Sequence, residues 1–289
     1  MTLRDPRLHA YRPDLADLRL KGLVEAERFV EGRPATVSAP VADMRAASRP
    51  DSGINTQLLR GDTVTVFDTS EGYAWVQADF DGYVGYLAEG DLSPTGSQPT
   101  HRVIVPRTFL YPGPDLRFPR IEALTIGSEL GVLATAETRG TRYAQLDSGG
   151  WVVESHLGAK DSFASDYVAI AETLLNTPYL WGGTSAFGID CSGLVQLSQR
   201  LAGRSAPRDS DMQANGLGSP LEPGPDYRNL SRGDLVFWKG HVAIMTDPET
   251  IIHATGSTMM VTREPLKEAI ERIRRFYGDP TGFRRPELA

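Results

Sequence analysis

The chain has 289 residues, of which 40% are hydrophobic and 23% charged, as in an ordinary globular protein with room for two or three domains. Its formal net charge of −7 argues against nucleic acid or an anionic membrane surface as the main partner. The single cysteine excludes an internal disulfide framework and favours a reducing compartment.

The first residues are charged and contain no apolar run of signal-peptide length, because Asp14, Asp17 and Lys21 interrupt every window. No stretch of the sequence is apolar enough over the length needed to span a bilayer. We therefore expect a cytoplasmic protein with no membrane partner. Within residues 1–34 we predict a helical arm, with its helix running from Leu15 to Arg28.

Residues 35–95 and 101–158 have the texture of short strands separated by turns, and a Pro/Gly/Ser-rich linker separates them. In the first region, strands are predicted over residues 63–67, 74–78 and 82–87. The second region repeats the first at three places: 59–61 corresponds to 125–127, 81–84 to 149–152, and 91–92 to 156–157. This pattern predicts two tandem copies of one small all-β barrel.

Residues 161–289 predict an α+β domain, since helices are followed by alternating strands and turns. A helix is predicted over 165–175, with Ser165 as its cap, and a second begins at Cys191. Residues 206–225 are predicted to be a loop. Strands are then predicted over 234–238, 241–246, 251–254 and 259–262, with a closing helix over 264–276.

Cys191 follows a Gly-rich loop and begins a helix, where unpaired N–H groups and the helix dipole favour a thiolate. A thiol nucleophile needs a base, and the base needs a group that fixes its tautomer. His241 and His253 lie on predicted strands joined by a short turn, so their imidazoles are expected to touch. In that order, Cys191, His241 and His253 fit nucleophile, base and orienting group.

The residues alone leave other interpretations open. A lone cysteine is more often a small buried hydrophobe, and a strand histidine among apolar residues is more often structural. A third interpretation is a zinc site formed by Cys191, His241 and His253, although structural zinc sites normally use ligands in closely spaced pairs.

The surrounding motifs favour the peptidase interpretation. The sequence Tyr-Leu-Trp-Gly-Gly before Asp-Cys-Ser-Gly-Leu-Val, followed later by Gly-Asp-Leu-Val-Phe-Trp, Gly-His-Val-Ala-Ile and Ile-Ile-His-Ala, resembles NlpC-type cell-wall cysteine peptidases over residues 165–285. This resemblance implies a papain-like fold. It also implies a nucleophile at Cys191, a base at His241 and an orienting group at His253, and it requires no metal or cofactor. The Gly-Tyr/Trp-Val endings of the two repeats resemble bacterial SH3-like domains.

Two SH3-like barrels before such a domain resemble the γ-D-glutamyl-L-diamino acid endopeptidases, also called the dipeptidyl-peptidase VI type. The resemblance implies a small murein peptide as substrate, L-Ala-γ-D-Glu-diaminopimelate with a free N-terminus, cleaved during cell-wall recycling. We expect a monomer. The alternatives are an exported hydrolase tethered to the wall by its SH3-like domains, and a binding protein with a decayed peptidase domain.

Five neighbours of the catalytic set are candidates for binding substrate. A carboxylate at Asp190 opposes thiolate formation, so we expect it to bind the α-ammonium instead. Tyr179 is a candidate oxyanion donor together with the Cys191 N–H, and Trp181 is a candidate cleft wall. Ser192 and Ser210 are candidates for binding peptide or carboxylate.

Each of these neighbours also has a structural interpretation. Asp190 and Ser192 suit helix caps, and Tyr179 and Trp181 suit the core. Arg208 and Asp209 are predicted to be a solvated or structural pair.

In the subfamily, the first SH3-like domain supplies an acid and a tyrosine for the ammonium. Asp51 matches the acid, and Tyr83 or Tyr86 matches the tyrosine. Both tyrosines also suit the core of the barrel.

Overall fold

The computed structural model describes residues 4–286. The backbone divides into two compact units, Met1–Ser162 and Phe163–Ala289. Among the described residues, no helix has both the length and the apolar character needed to cross a bilayer.

The N-terminal residues form a small sheet. Its strands are β1 (Tyr11–Arg12), β2 (Leu15–Asp17) and β3 (Arg28–Val30), in the order β1-β2-β3, with a 3-10 turn over Leu18–Leu20. The predicted helix from Leu15 to Arg28, and with it the helical arm, is therefore wrong. Leu15 is buried in a cluster with Phe67 and Trp75, and this tertiary packing overrides the local helical pattern.

Residues 33–93 form one seven-stranded antiparallel sheet around an apolar core. The strands are β4 (Arg33–Val37), β5 (Val41–Arg45), β6 (Ile54–Leu59), β7 (Thr63–Ser70), β8 (Tyr73–Ala78), β9 (Val84–Ala88) and β10 (Leu92–Ser93), with a 3-10 turn over Glu89–Asp91. Their order in the sheet is β10-β4-β7-β8-β9-β5-β6. Alternate residues face the core, among them Met44, Val64 and Leu87. The three strands predicted here are confirmed within a few residues at their ends.

Residues 101–159 are also all-β and have their own core, which contains Val103, Leu124 and Val152. The strands are β11 (His101–Val103), β12 (Arg107–Leu110), β13 (Glu122–Thr125), β14 (Glu129–Leu130), β15 (Val132–Thr138), β16 (Thr141–Leu146), β17 (Trp151–Val153) and β18 (Leu157–Ala159), with a 3-10 turn over Glu154–His156. They pair as β14-β11-β18, β12-β13 and β15-β16-β17.

Backbone hydrogen bonds recur in both all-β regions at the positions where the sequence repeats. In the first region, the N–H of Gly61 donates to Val37 O at 3.0 Å and the N–H of Ser38 donates to Asp91 O at 2.8 Å. In the second region, the N–H of Gly127 donates to Val103 O at 2.9 Å and the N–H of Ile104 donates to His156 O at 3.0 Å. Gly61 and Gly127 have φ angles of 91° and 90°, a backbone conformation that favours glycine.

The second unit places helices against one six-stranded sheet. Its elements are α1 (Tyr167–Thr173), β19 (Thr184–Ser185), β20 (Gly188–Ile189), α2 (Cys191–Leu201), α3 (Ser210–Gly216), β21 (Ser219–Pro220), β22 (Leu235–Trp238), β23 (His241–Met245), β24 (Thr250–Thr255), β25 (Met260–Pro265), α4 (Leu266–Tyr277) and β26 (Gly282–Arg285), with a 3-10 turn over Pro225–Tyr227. The sheet order is β21-β26-β22-β23-β24-β25. The predicted α+β arrangement is confirmed for this unit.

Helix packing explains where the site forms. Helix α4 buries Leu266, Ile270 and Ile273, spaced as one helical face, against strand residues that include Ala243 and Ile251. Helix α2 is buried on almost every side and contacts β23 and β24. The N-terminus of α2 is therefore held close to two strands that each carry a histidine.

Three predicted boundaries in this unit differ from the structure. Asp166, rather than Ser165, caps α1, because its carboxylate accepts the N–H of Val168 at 2.9 Å. The loop predicted over 206–225 contains helix α3. Strand β25 extends to Pro265, so Glu264 lies on a strand and not in the closing helix.

The N-terminal sheet can be tested by a pair of leucine substitutions. Leu15→Ala should lower the free energy of unfolding by about 2–5 kcal/mol, because it empties a buried site. Leu18→Ala should change it by less than about 0.5 kcal/mol, because Leu18 is 46% exposed. Urea unfolding of both variants makes the comparison. Equal effects would mean that Leu15 is not packed as the structure has it.

Candidate active site

The loop before Cys191 needs glycine for steric reasons. A Cβ at Gly193 would lie 2.2 Å from Gly183 O, and a Cβ at Gly183 would lie 2.5 Å from Gly188 O. The backbone at Gly183, directly before β19, therefore packs on the first turn of α2. This contact fixes Cys191 at the first position of the helix, where the sequence predicted it.

The thiol of Cys191 is protonated in the resting site. Only 7% of the residue is exposed, and burial, followed by the charge of Asp190, raises the pKa of the thiol above its ordinary value of 9.0. The N–H of Val242 donates to the sulfur and Arg208 lies near it, and both act in the opposite direction. Burial of the sulfur therefore opposes the thiolate that the helix N-terminus was predicted to favour.

The two histidines touch, as their strands predicted. Strands β23 and β24 are antiparallel neighbours, and His241 Nε2 lies 2.8 Å from His253 Nδ1. The N–H of Val242, the residue after His241, contacts the Cys191 sulfur, so the thiol lies beside the start of β23. The structure therefore brings Cys191, His241 and His253 together.

His241 is poised to accept a proton. Burial, and then the neighbouring His253 and Arg272, lower its pKa below the ordinary value of 6.5, so the imidazole is neutral at pH 7. Its Nε2 is engaged with His253, so Nδ1 is the ring nitrogen available to act as a base. A neutral thiol beside a neutral imidazole is the starting state for general-base activation of a nucleophile.

Cys191, His241 and His253 form a row of neighbouring side chains, and a carboxylate lies beyond its last member. Glu264 Oε1 lies 2.6 Å from His253 Nε2, and Arg272 of α4 pairs with the same oxygen. Sequence reasoning missed Glu264 because it assigned the residue to a helix start. Continuing the strand alternation from Thr262 places Glu264 on the same face as His253 and would have identified it.

Both carboxylate oxygens of Asp190 are occupied by protein donors. Oδ1 accepts the N–H of Gly193 at 2.7 Å, and Oδ2 accepts the N–H of Gly182 at 2.9 Å. Arg208 forms a two-pronged ion pair with both oxygens, at 3.0 and 2.6 Å. The interpretation of Asp190 as the ammonium ligand does not fit these contacts, whereas the helix-cap alternative does.

Arg208 is the second residue that sequence reasoning underrated. It is 1% exposed, so it is not a solvated residue, and it forms a buried ion pair with Asp190. Its guanidinium also donates to Ser192 Oγ at 2.8 Å, and Ser192 is buried, which indicates a structural role for that hydroxyl. The charge of Arg208 compensates the carboxylate that would otherwise oppose ionisation of Cys191.

The other candidate substrate-binding residues of the second unit differ in how exposed their side chains are. Tyr179 is half-buried, and the charges of Cys191 and Asp190 add to burial in raising the pKa of its hydroxyl, so it lies close to the thiol. Trp181 is 70% exposed and does not belong to the core. Ser210 is half-buried at the first position of α3.

The candidates of the first unit also differ from one another. Tyr83 is buried in the barrel core, so its assignment as an ammonium ligand does not fit, and the core alternative does. The hydroxyl of Tyr86 accepts a hydrogen bond from Arg12 at 3.3 Å. Asp51 has an exposed side chain and a long contact of 3.5 Å with Arg49.

The zinc alternative does not suit this donor set. Both ring nitrogens of His253 are engaged, one by His241 and one by Glu264. Within residues 4–286, no group of three or more His, Cys, Asp or Glu side chains is arranged to hold a metal ion.

Known proteins resemble this chain over most of its length. Residues 44–92 match the bacterial dipeptidyl-peptidase Sh3 domain, and residues 176–275 match the NlpC/P60 family. A gamma-D-glutamyl-L-lysine dipeptidyl-peptidase of Bacillus subtilis (strain 168) is 30% identical over 253 residues, which cover 79% of this chain and 81% of the relative. A protein of the same name from Bacillus cereus (strain ATCC 10987 / NRS 248) is 28% identical over 242 residues, covering 74% and 71%.

One solved structure has the same fold. An NlpC/P60 family protein from Bacillus cereus ATCC 10987 superposes with a TM-score of 0.71 at 23% identity. The match covers 89% of this chain and 100% of the other, so the likeness extends over both units.

The protonation states predict the pH dependence of catalysis. A base with a lowered pKa stays neutral below pH 6.5, so the acid limb of kcat/KM should lie below that value. Activity should be complete above the limb and decline as the pH falls through the pKa of His241. Initial rates in buffers of constant ionic strength test this. A limb at or above 6.5 would contradict a buried, neutral His241.

The Arg208–Asp190 pair predicts a stability change. Arg208→Met leaves a buried carboxylate uncompensated, which should cost about 3–5 kcal/mol of unfolding free energy. It should also slow alkylation of Cys191 by iodoacetamide at fixed pH, because the thiol pKa rises further. The double variant with Asp190→Asn should recover part of both losses, measured by urea unfolding and by alkylation rate.

Arg274→Met is the matched control for this pair, because it breaks an exposed ion pair with Asp279. Its cost should stay within about 1 kcal/mol. If Arg208→Met were equally mild, the buried pair would not have the role described here.

Proposed function

The chain belongs to the NlpC/P60 family of cysteine peptidases and carries a bacterial SH3-like domain, and from this we propose that it hydrolyses the γ-D-glutamyl-diamino acid bond of small murein peptides. It is a peptidase acting on peptidoglycan peptides. The observation that carries the more specific proposal is the buried row from Cys191 to His241 and His253. The choice of the γ-D-glutamyl-diamino acid bond as the one cleaved rests on the names of its dipeptidyl-peptidase relatives.

The proposed reaction begins with the thiol of Cys191. His241 Nδ1 takes the thiol proton as the sulfur attacks the γ-glutamyl carbonyl, and His253 holds the ring in the required orientation. The backbone N–H of Cys191 and the hydroxyl of Tyr179 stabilise the oxyanion. The intermediate collapses to a thioester, and His241 returns the proton to the amine of the departing diamino acid.

A water molecule completes the cycle. His241 takes a proton from the water as it attacks the thioester carbonyl, and the acyl half leaves as L-Ala-D-Glu. The proton returns to the sulfur and restores the neutral thiol. The sequence of steps consumes one water and no cofactor.

We propose that the substrate carries a free N-terminal L-Ala, as in L-Ala-γ-D-Glu-diaminopimelate. Three relatives are named as dipeptidyl-peptidases, which supports an enzyme that releases a dipeptide from a free N-terminus. Trp181 and Ser210 remain candidates for holding the peptide.

We also propose a biological setting and a second module. The protein would act as a monomer in the cytoplasm, where small wall peptides are recycled and a single free thiol stays reduced. Residues 101–158 would be a second SH3-like barrel. The recurring backbone hydrogen bonds around Gly61 and Gly127 support that duplication.

Product analysis by mass spectrometry tests the substrate. L-Ala-γ-D-Glu-diaminopimelate should yield L-Ala-D-Glu and free diaminopimelate. The N-acetylated peptide should react about 10- to 100-fold more slowly, the factor lost with one charge-assisted hydrogen bond. The lysine peptide, run in parallel, gives the diamino acid preference.

Two outcomes would contradict this proposal. Equal rates for the free and acetylated peptides would remove the requirement for a free N-terminus. Retention of the protein on intact sacculi, with release of wall fragments, would favour the exported hydrolase.

A further inference from the structure

Glu264 occupies the end of the catalytic row that lies farthest from the thiol. His253 is fully buried between two partners, His241 at 2.8 Å and Glu264 at 2.6 Å. In β24 and β25, His253 lies opposite Thr262, and Glu264 lies two residues further along the same face. The carboxylate therefore contacts the second histidine and not the first.

We infer that Glu264 is a positioning residue that sets the direction of every hydrogen bond in this row, and that Arg272 holds Glu264 in place. The inference rests on the proposed roles of Cys191, His241 and His253. It adds a fourth and a fifth side chain to them.

The direction follows from the acceptor character of a carboxylate. An ionised Glu264 only accepts, so His253 carries a proton on Nε2. We take His253 as the neutral imidazole, in which Nδ1 then carries the lone pair. That lone pair accepts from His241 Nε2, so the proton of His241 also lies on Nε2. His241 Nδ1 is then unprotonated, which is the state a base for the Cys191 thiol requires.

Without the carboxylate, the row has no fixed direction. A neutral His253 could place its proton on Nδ1 and donate to His241 Nε2. The proton of His241 would then lie on Nδ1, the nitrogen that must accept the thiol proton. The row would contain a donor where the reaction needs an acceptor.

Arg272 keeps the acceptor ionised. It pairs with Glu264 Oε1 from α4. Burial acts to raise the pKa of this carboxyl, but the hydrogen bonds from His253 and Arg272 and the charge of Arg272 outweigh it and lower the pKa. The positive charge of Arg272 also disfavours the protonated form of His241 and so lowers its pKa. The negative charge of Glu264 favours the protonated form. The two residues should therefore shift the pKa of His241 in opposite directions.

The charged and titratable groups around this row come from four elements. Cys191 belongs to α2, His253 to β24, Glu264 to β25 and Arg272 to α4. Asp190 and Arg208 act on Cys191 and compensate each other. A substitution at Glu264 or Arg272 therefore changes the pKa of His241 while the other nearby charges stay the same.

Nitrogen-15 NMR of the histidine rings tests the direction without any turnover. The substrate-free wild-type protein, which has five histidines, should show protons on Nε2 of His241 and His253 and none on either Nδ1. Glu264→Met, which removes the acceptor at similar length, should shift both rings toward the other tautomer. A proton on His253 Nδ1 in the wild type, or unchanged tautomers in Glu264→Met, would overturn the inference.

Kinetics supply the second test, on full-length variants whose fold is verified by circular dichroism. Glu264→Met should lower kcat about 100-fold, the lower end of the usual contribution of general-base catalysis, and leave KM nearly unchanged. Glu264→Gln retains an oxygen acceptor and removes the charge, so it should keep the tautomers and move the acid limb of kcat/KM to lower pH. Arg272→Met should move that limb to higher pH.

Opposite shifts of the acid limb support the inference, and shifts in the same direction, or none, would overturn it. Asp279→Asn is the matched control, because it removes an exposed carboxylate paired with another arginine of α4 and should leave kinetics unchanged. Failure of wild-type protein to cleave any murein peptide would refute the proposed function. The NMR result would still decide the role of Glu264.

Discussion

The hydrogen bond between His241 and His253 is the contact on which the site depends. A buried thiol does not ionise unaided, and burial together with Asp190 holds Cys191 protonated. The thiol needs a neutral base, and burial keeps His241 neutral. A neutral imidazole is useful only in the correct orientation, and the contact at 2.8 Å with His253 holds the ring in place. The antiparallel pairing of β23 and β24 makes that contact a consequence of the sheet.

The carboxylate of Asp190, beside the nucleophile, stabilises the local structure but disfavours ionisation of the thiol. Asp190 caps α2 and ties the preceding loop to the helix, which locates Cys191. Its charge disfavours the thiolate, and the buried guanidinium of Arg208 offsets that charge. The cap and its counter-ion work as a unit, since breaking a buried pair costs far more than an exposed one.

Local sequence patterns predicted the elements that depend on short-range interactions. Turn glycines and strand alternation gave the strands of the first barrel and of the β22–β25 sheet, and the Gly-rich loop gave the start of α2. Long-range packing determined the rest. Leu15 is extended because it packs on Phe67 and Trp75. The Arg208–Asp190 pair, the partners of Glu264 and the burial of the thiol all depend on tertiary contacts that spacing does not encode.

The most direct test of the account compares products from wild type, Cys191→Ala and His241→Ala on L-Ala-γ-D-Glu-diaminopimelate by mass spectrometry. L-Ala-D-Glu and free diaminopimelate should form with the wild type alone, while circular dichroism shows all three proteins equally folded. Turnover above background by Cys191→Ala, or none by the wild type, would contradict the account.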